Sequence, residues 1–275
     1  MTEKHIDKNA DIKLTAYERV VLARSTNRPN INDYIDNIFD DFIELKGDRL
    51  RMDDPSVIAG IAMLEKIPVT IIGHRKGKNT SDNIKCNFGM ASPEGYRKAI
   101  RLMKQAEKFG RPVITFVDTP GAYPGLDAEA NGQSNAIANC ICVMGSVRVP
   151  TITIITGEGN SGGALALAVA DKVYMLSNSV YSILSPEGFA SILWKDSKRC
   201  EQAAEMMKIT AEDLLEYGLI DGIISDNKKI FSNIKKTITA DISELEKCEK
   251  NALINKRYKK FRNIDGIYRP QRSLV

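Results

Sequence analysis

The sequence predicts an α/β fold built around one large sheet. Between residues 57 and 224, short apolar and β-branched runs alternate with segments of helical periodicity, which is typical of α/β layering. Glycine-rich segments follow two of these runs, as expected where strands of such a sheet end. With 275 residues, 43% of them hydrophobic, the chain can bury a sizeable core in one large domain or at most two.

The elements follow from local signals along the chain. Residues 92–94 supply an N-cap serine, a first-turn proline and an acidic residue, and Gly110 can end that helix. Residues 185–187 repeat the starting signal, and Thr210 with Asp213 three positions later predicts another capped helix. The predicted strands lie at residues 57–64, 69–73, 113–117, 151–155, 173–175 and 179–184.

Composition and charge limit the function classes. No uncharged apolar run approaches the roughly 18 residues of a membrane span, and the first residues lack the apolar stretch of a signal peptide. We therefore expect a cytoplasmic protein without membrane association. We divide the chain into an N-terminal helical extension at 1–46, a catalytic-type domain at 47–226 and a basic C-terminal helical extension at 227–275.

The basic charge is concentrated near the C-terminus. The net charge is +4, yet residues 226–262 alone hold eleven Lys or Arg against five Asp or Glu. Apolar residues at helical spacing favour a solvated helix with one buried face; they are Ile230, Ile234, Ile238, Ile242 and Leu245. The alternative is a contact with an anionic partner such as a CoA phosphate or nucleic acid, and the sequence does not favour nucleic acid.

The cysteines and histidines predict neither a disulfide framework nor a metal site. Five cysteines are scattered along the chain, and the histidines are His5 and His74 alone. Cys140 and Cys142 have the wrong spacing for a zinc knuckle, so we expect free thiols buried on a helix and no metal in this chain.

The segment GEGNSGGA at 157–164 matches several weak motifs. As a dinucleotide loop it lacks the acidic residue expected about 20 positions later, and as a P-loop it lacks a following lysine. As a nucleophile elbow around Ser161 it lacks a histidine later in the chain. The segment is expected to open a small-residue helix that runs to about Ala170.

The segment is better suited to a reaction that uses backbone N-H donors and needs no side-chain nucleophile. Gly162 and Gly163 at a helix start let a ligand approach the backbone and can aim amide groups at a developing oxyanion. Such a site stabilises an enolate. The alternative is that both glycines serve only tight packing of the helix on the sheet.

Several blocks in order carry a family resemblance. They include the sequence DTPGAYPG at 118–125 and the glycines of 157–164. The complete set lies at residues 22–24, 28–29, 47–49, 72–77, 87–90, 93–99, 116–125, 157–159, 161–164, 185–188 and 190–195. From about residue 15 to 226 the chain resembles the α subunits of bacterial acetyl-CoA carboxylase carboxyltransferases, in the crotonase-like superfamily.

The resemblance implies a fold and a reaction. The fold is the crotonase/Clp protease-like one of repeated ββα units. The reaction is carboxyl transfer from carboxybiotin to acetyl-CoA, giving malonyl-CoA for fatty acid synthesis. Carried over by motif, Gly162 and Gly163 donate amides to the ureido oxygen of biotin, and the resulting biotin enolate takes a proton from the acetyl methyl group. Gly121 and Ala122 line the biotin pocket; the alternative is a rigid turn that ends a strand.

The resemblance also implies partners. A zinc-containing carboxyltransferase β subunit supplies the CoA-facing half, and the family suggests an assembly of two α and two β subunits. The chain has no Met-Lys-Met biotinylation signature and no ATP-binding loop, so the biotin carboxyl carrier protein and the biotin carboxylase are expected to be separate proteins.

Two departures from the family pattern leave alternatives open. Asn160 replaces a glycine and is expected to preserve the turn through its tolerance of positive φ, and 130–131 lack the family's charged pair. The alternatives are a non-catalytic α-like scaffold and another crotonase-type acyl-CoA enzyme. His74 is expected to be a satisfied polar residue rather than a catalytic acid. Arg75 and Lys76 are expected to meet an anionic group, the partner or solvent, and Glu158 is expected to orient its loop.

Overall fold

The computed structural model describes residues 14–264. His5 and the outer parts of both predicted extensions lie outside these residues, and the domain boundaries stay predictions. The strands are β1 (Asp40–Glu44), β2 (Val57–Leu64), β3 (Ile67–His74), β4 (Val113–Thr119), β5 (Thr151–Asn160), β6 (Lys172–Leu176), β7 (Val180–Ser182) and β8 (Gly222–Ile224).

These strands form one mixed sheet in the order β1-β2-β3-β4-β5-β6-β8, with β7 paired to β5. Strands β1, β2 and β3 are antiparallel neighbours, whereas all pairings from β3 onward are parallel. Because parallel strands end at the same edge, the glycine-rich segments after β4 and within the end of β5 come together at that edge.

The helices cover both faces of the sheet. They are α1 (Ala16–Ala23), α2 (Ile31–Ile38), α3 (Thr80–Lys85), α4 (Pro93–Phe109), α5 (Leu126–Ala130), α6 (Gln133–Ser146), α7 (Ser161–Leu165), α8 (Pro186–Trp194), α9 (Cys200–Met207), α10 (Ala211–Glu216), α11 (Ile230–Leu245) and α12 (Lys250–Arg262). One core contains residues of α4 and α6, a second contains residues of α2 and α11, and a smaller third contains residues of α1 and α9.

The predicted helix ends are confirmed, although the Ser92 side chain at the start of α4 makes no capping hydrogen bond. Helix α4 ends at Gly110 in the left-handed region, with φ of 68°. The Ser185 hydroxyl accepts a hydrogen bond from the Gly188 amide at 3.1 Å, and Thr210 and Asp213 form a capping box. The C-terminal apolar residues also form a helix, α11, with its isoleucines buried.

Other local predictions need correction. Strands β1 and β8 are present but were not predicted, because each is short and supported by pairing with a neighbour. The helix after β5 ends at Leu165 instead of about Ala170. All five cysteines are free, as expected, but Cys142 on α6 is exposed and not buried. Among residues 14–264, no helix is both long and apolar enough to cross a membrane.

Candidate active site

The two glycine loops meet at the carboxyl ends of β4 and β5. Beyond the strand pairing they approach closely at Gly163, where an added Cβ atom would lie 2.6 Å from the backbone nitrogen of Ala122 and 2.8 Å from the carbonyl carbon of Gly121. No side chain fits there, so Gly163 permits the contact between the loops. The structure thus brings together three of the four predicted site residues directly, and Gly162 precedes Gly163 in the chain.

The turn between β5 and α7 depends on Ser161 and not on Asn160. Asn160 is extended, with φ of −118°, whereas Ser161 has φ of 60°. The prediction that Asn160 takes positive φ is therefore wrong. Asn160 is buried, and its Oδ1 accepts a hydrogen bond from the Ser182 hydroxyl at 2.7 Å, so the strand β7 holds it extended. A serine in the left-handed region is a strained position of the kind found at functional sites.

The amides of this region differ in availability. Gly162 and Gly163 lie in the first turn of α7, where amide groups have no intrahelical acceptor, and the Asn160 side chain does not cap them. Gly121 donates its amide to Thr119 Oγ1 at 3.1 Å, so that amide is engaged within the loop. The Ala122 amide has no acceptor within residues 14–264. The candidate donors are therefore those of Gly162, Gly163 and Ala122. Gly162 and Ala122 are partly exposed, whereas Gly163 is buried.

Two cavities adjoin these donors. One, of about 490 Å³, is lined by Gly121 and Ala122 together with Arg24 and Glu158. The other, of about 560 Å³, is lined by Gly162 and mainly by apolar side chains from β7 and the helices that follow it. Both are in the size range of small-molecule sites. Ser161 and Ile183 line both cavities, so the strained turn lies where the cavities meet.

A cluster of charged side chains lies beneath the two loops. Lys76 Nζ is 2.8 Å from Asp118 Oδ1 and 2.9 Å from Glu158 Oε1. Arg24 Nε is 2.9 Å from Glu158 Oε2, and its remaining nitrogens contact Glu187. Lys76 thus meets anionic groups within the chain. Glu158 joins the cluster that supports its loop, in agreement with the expectation that it orients the loop.

The charges of the cluster are mutually stabilised. Burial acts to raise the pKa of Glu158, but Lys76 and Arg24 outweigh it and hold the pKa of that carboxyl below its ordinary value. Burial acts to lower the pKa of Lys76, and the carboxylates of Asp118 and Glu158 reverse this effect and raise it. Glu158 is therefore a paired carboxylate and a weak base, and its negative charge is balanced next to the amide donors.

His74 is not the satisfied polar residue that was expected. Its ring is buried at the end of β3, and neither ring nitrogen has a hydrogen-bond partner among the described residues. Burial, with a smaller effect of the Lys76 charge, lowers the pKa of His74 to about 3. The imidazole is therefore neutral near pH 7 and is not a catalytic acid there.

The sequence analysis did not identify Arg24, Lys76 and Glu158 as one group. Glu158 lies 82 positions after Lys76 and 134 positions after Arg24, so no local pattern joins them. One signal was available, since Lys76 and Glu158 each lie near the end of a predicted strand. Among residues 14–264, no cluster of His, Cys, Asp and Glu side chains is arranged to hold a metal ion.

Comparisons with known proteins agree with this geometry. The acetyl co-enzyme A carboxylase carboxyltransferase-like family matches residues 2–265. The acetyl-coenzyme A carboxylase carboxyl transferase subunit alpha of Clostridium perfringens is 57% identical over 259 residues, covering 91% of this chain and 96% of that protein. A Natranaerobius thermophilus protein named as the carboxyl transferase subunits beta/alpha is 55% identical, and the match covers 92% of this chain and 43% of that protein.

A solved structure shares the fold. The transcarboxylase 12S structure has a TM-score of 0.68 and 18% sequence identity, over 88% of this chain and 46% of that chain. The predicted crotonase-like α/β fold is thereby confirmed. Because the family match spans nearly the whole chain and these relatives share more than half of the aligned residues, the chain belongs to the acetyl-CoA carboxylase carboxyltransferase family, as a transferase of the α-subunit type.

Proposed function

We propose that this chain is the biotin-facing half of a carboxyltransferase that moves a carboxyl group from carboxybiotin to acetyl-CoA, giving malonyl-CoA. The observation that carries the proposal is the junction of Gly163 with Gly121 and Ala122, which places the unpartnered Ala122 amide and the first turn of α7 beside two cavities. Family membership supports the reaction and its products.

The amides of Gly162 and Gly163 are assigned to the ureido oxygen of biotin. Negative charge develops on that oxygen as the carboxyl group leaves, and fixed N-H donors stabilise such charge without reorganising. Ala122 is assigned as an additional donor, and Gly121 as a wall of the pocket whose own amide is engaged by Thr119.

The balanced charge of Glu158 also supports the assignment. An isolated carboxylate close to a developing oxyanion would oppose it. Lys76 and Arg24 remove this opposition, because each lies 2.9 Å from one of the two oxygens of Glu158. Glu158 is accordingly not proposed as the base. The proton of the acetyl methyl group is proposed to pass to biotin.

The assembly extends beyond this chain. We propose a zinc-containing β subunit that binds CoA, an α2β2 assembly, a biotin carboxyl carrier protein that delivers the substrate, and a separate biotin carboxylase. The α-subunit relatives, and the relative that joins beta and alpha in one name, support a β partner. The cytoplasmic location stays a prediction from the sequence.

The test compares the two adjacent glycines in the α–β complex. Gly163→Ala places a methyl group against the Ala122 and Gly121 backbone, so the loops must move apart. We expect the rate of malonyl-CoA formation to fall by roughly 10²-fold, the loss typical of a misplaced catalytic group. In Gly162→Ala the added methyl group would contact only Ile137 Cγ2, at 3.3 Å, and the amide is kept. This variant is the matched control, and we expect a much smaller loss of rate.

Activity measured on verified complexes distinguishes the alternatives. The isolated chain is expected to be inactive and the complex active. An inactive complex containing wild-type chain would favour the scaffold hypothesis, whereas acyl-CoA hydration by the isolated chain would favour another crotonase-type enzyme. Equal activity of the two glycine variants would remove the proposed role of the loop junction.

A further inference from the structure

We propose that Lys76 is a positioning residue that sets the distance between the two glycine loops. This inference rests on the proposed function, because it concerns how the amide donors of that site are held. Lys76 follows β3, and so belongs to neither of the loops that it joins.

The contacts of Lys76 reach the base of both loops. Its Nζ lies 2.8 Å from Asp118 Oδ1, at the start of the segment that leads to Gly121 and Ala122. The same Nζ lies 2.9 Å from Glu158 Oε1, four residues before Gly162. The Glu158 amide also donates to Asp118 Oδ1 at 3.1 Å. One ammonium group therefore contacts two carboxylates, and each carboxylate lies a few residues before an amide donor in the chain.

Lys76 is the only cation within salt-bridge distance of Asp118 in the described part of the chain, whereas Glu158 also contacts Arg24. Loss of Arg24 would leave Glu158 paired with Lys76. Loss of Lys76 would leave Asp118 without a cation while its Oδ1 still faced the Glu158 segment. The two cations are therefore not equivalent. The β4–β5 pairing reaches Thr119 and Gly159, and beyond this backbone contact the ionic link between the two carboxylates depends on Lys76.

The surroundings make this link strong. The side chains of Lys76 and Asp118 are each 18% exposed and that of Glu158 is 6% exposed. Attraction between charges, and repulsion between the two carboxylates once the cation is removed, are larger at such partly buried sites than in open solvent. Without the ammonium group, Asp118 and Glu158 repel each other, and the loops that follow them separate.

The first measurement is the rate of carboxyl transfer by the α–β complex carrying Lys76→Met. We expect kcat to fall by roughly 10²-fold, as for a catalytic group moved by about 1 Å, with little change in KM for acetyl-CoA. Lys76→Arg keeps the charge and is expected to recover much of kcat. Lys78→Met is the control, since Lys78 pairs with Asp33 at an exposed position and is expected to match wild type.

A second variant separates positioning from simple loss of stability. Asp118→Asn in the Lys76→Met background removes one of the repelling charges and keeps an oxygen that can accept the Glu158 amide. We expect this double variant to regain kcat relative to Lys76→Met. Removing the unpaired carboxylate also restores stability, so urea unfolding of both variants is measured beside kcat. A fall in kcat while Lys76→Met is still fully folded under assay conditions, with regain in the double variant, indicates positioning. A kcat that follows only the folded fraction indicates a role limited to stability.

Hydrogen exchange of residues 118–125 and 157–164 gives a readout independent of activity. Faster exchange in both segments of folded Lys76→Met, with Lys78→Met unchanged, supports the proposal. Unchanged exchange and wild-type kcat in Lys76→Met would overturn it, even if Gly163→Ala were inactive as proposed. An inactive wild-type complex would contradict the proposed function, and the exchange result would then still decide whether Lys76 links the loops.

Discussion

Two ionic clusters lie at opposite ends of the central strands. They differ in whether all of their hydrogen-bonding groups are used within the protein or lie beside an open cavity. At the amino end of β5 and β6, Arg257 of α12 is 1% exposed and binds Asp171 through two hydrogen bonds of 2.9 and 2.7 Å. Its other donors bind the carbonyls of Met144, Val147 and Val149. At the carboxyl end, Lys76 and Arg24 bind carboxylates beside an open cavity.

Buried ion pairs therefore have two different roles in this protein. Arg257 makes five hydrogen bonds, which is the full number of guanidinium donors, so this cluster has no capacity left for a ligand and only fastens α12 to the sheet. The cluster of Lys76 and Arg24 supports loops whose amides remain available. The first is expected to govern stability and the second to govern activity.

The largest stability effect is expected at Arg257. Arg257→Met leaves Asp171 buried without its cation and three carbonyls without donors, so the free energy of unfolding should fall by about 3–5 kcal/mol. Urea unfolding measures this loss. Arg262→Met, on the exposed face of the same helix, is the control and should change little. A loss below that of an ordinary surface substitution would contradict the role given to Arg257.

A smaller effect is expected from the unpartnered His74 near the site. Its pKa is about 3 in the folded chain and about 6.5 when unfolded, so the unfolded state binds more protons between these values. Stability should therefore decrease as the pH falls below 6.5, by about 2 kcal/mol between pH 6.5 and 5.

Urea unfolding of wild type and of His74→Gln at a series of pH values tests this effect, because the difference between the two proteins isolates the contribution of His74. Carboxylates with lowered pKa, such as that of Glu158, also destabilise the fold on acidification, and they are present in both wild type and His74→Gln. The variant should show the shallower decrease with falling pH. Parallel curves for the two proteins would show that the pKa of His74 is the same in the folded and the unfolded chain.

The smallest stability effect is expected at Arg24. Its side chain is 34% exposed, and Lys76 still pairs with Glu158 when Arg24 is removed. Arg24→Met should lower the free energy of unfolding by less than about 1 kcal/mol, as is usual for solvent-screened ion pairs. A loss as large as that of Arg257→Met would remove the distinction between the two clusters.

Local sequence signals predicted much of the fold but not the elements that depend on pairing. Helix α4 was predictable because Pro93 and Gly110 act on the backbone at its ends, whatever the rest of the chain does. Strand β8 has three residues and exists through pairing with β6, which no local pattern reports. The same holds for Asn160, whose extended conformation accompanies its pairing with Ser182 on β7.

The site divides in the same way. The sequence by itself determined where the glycines lie, that no metal or nucleophile motif accompanies them, and which family they belong to. Only the tertiary structure decided that the Gly121 amide is engaged, that Gly163 touches Ala122, and that Lys76 joins Asp118 to Glu158. The physical reason is that parallel strand pairing brings together residues far apart in the chain, and their contacts depend on register and burial, which local propensity does not encode.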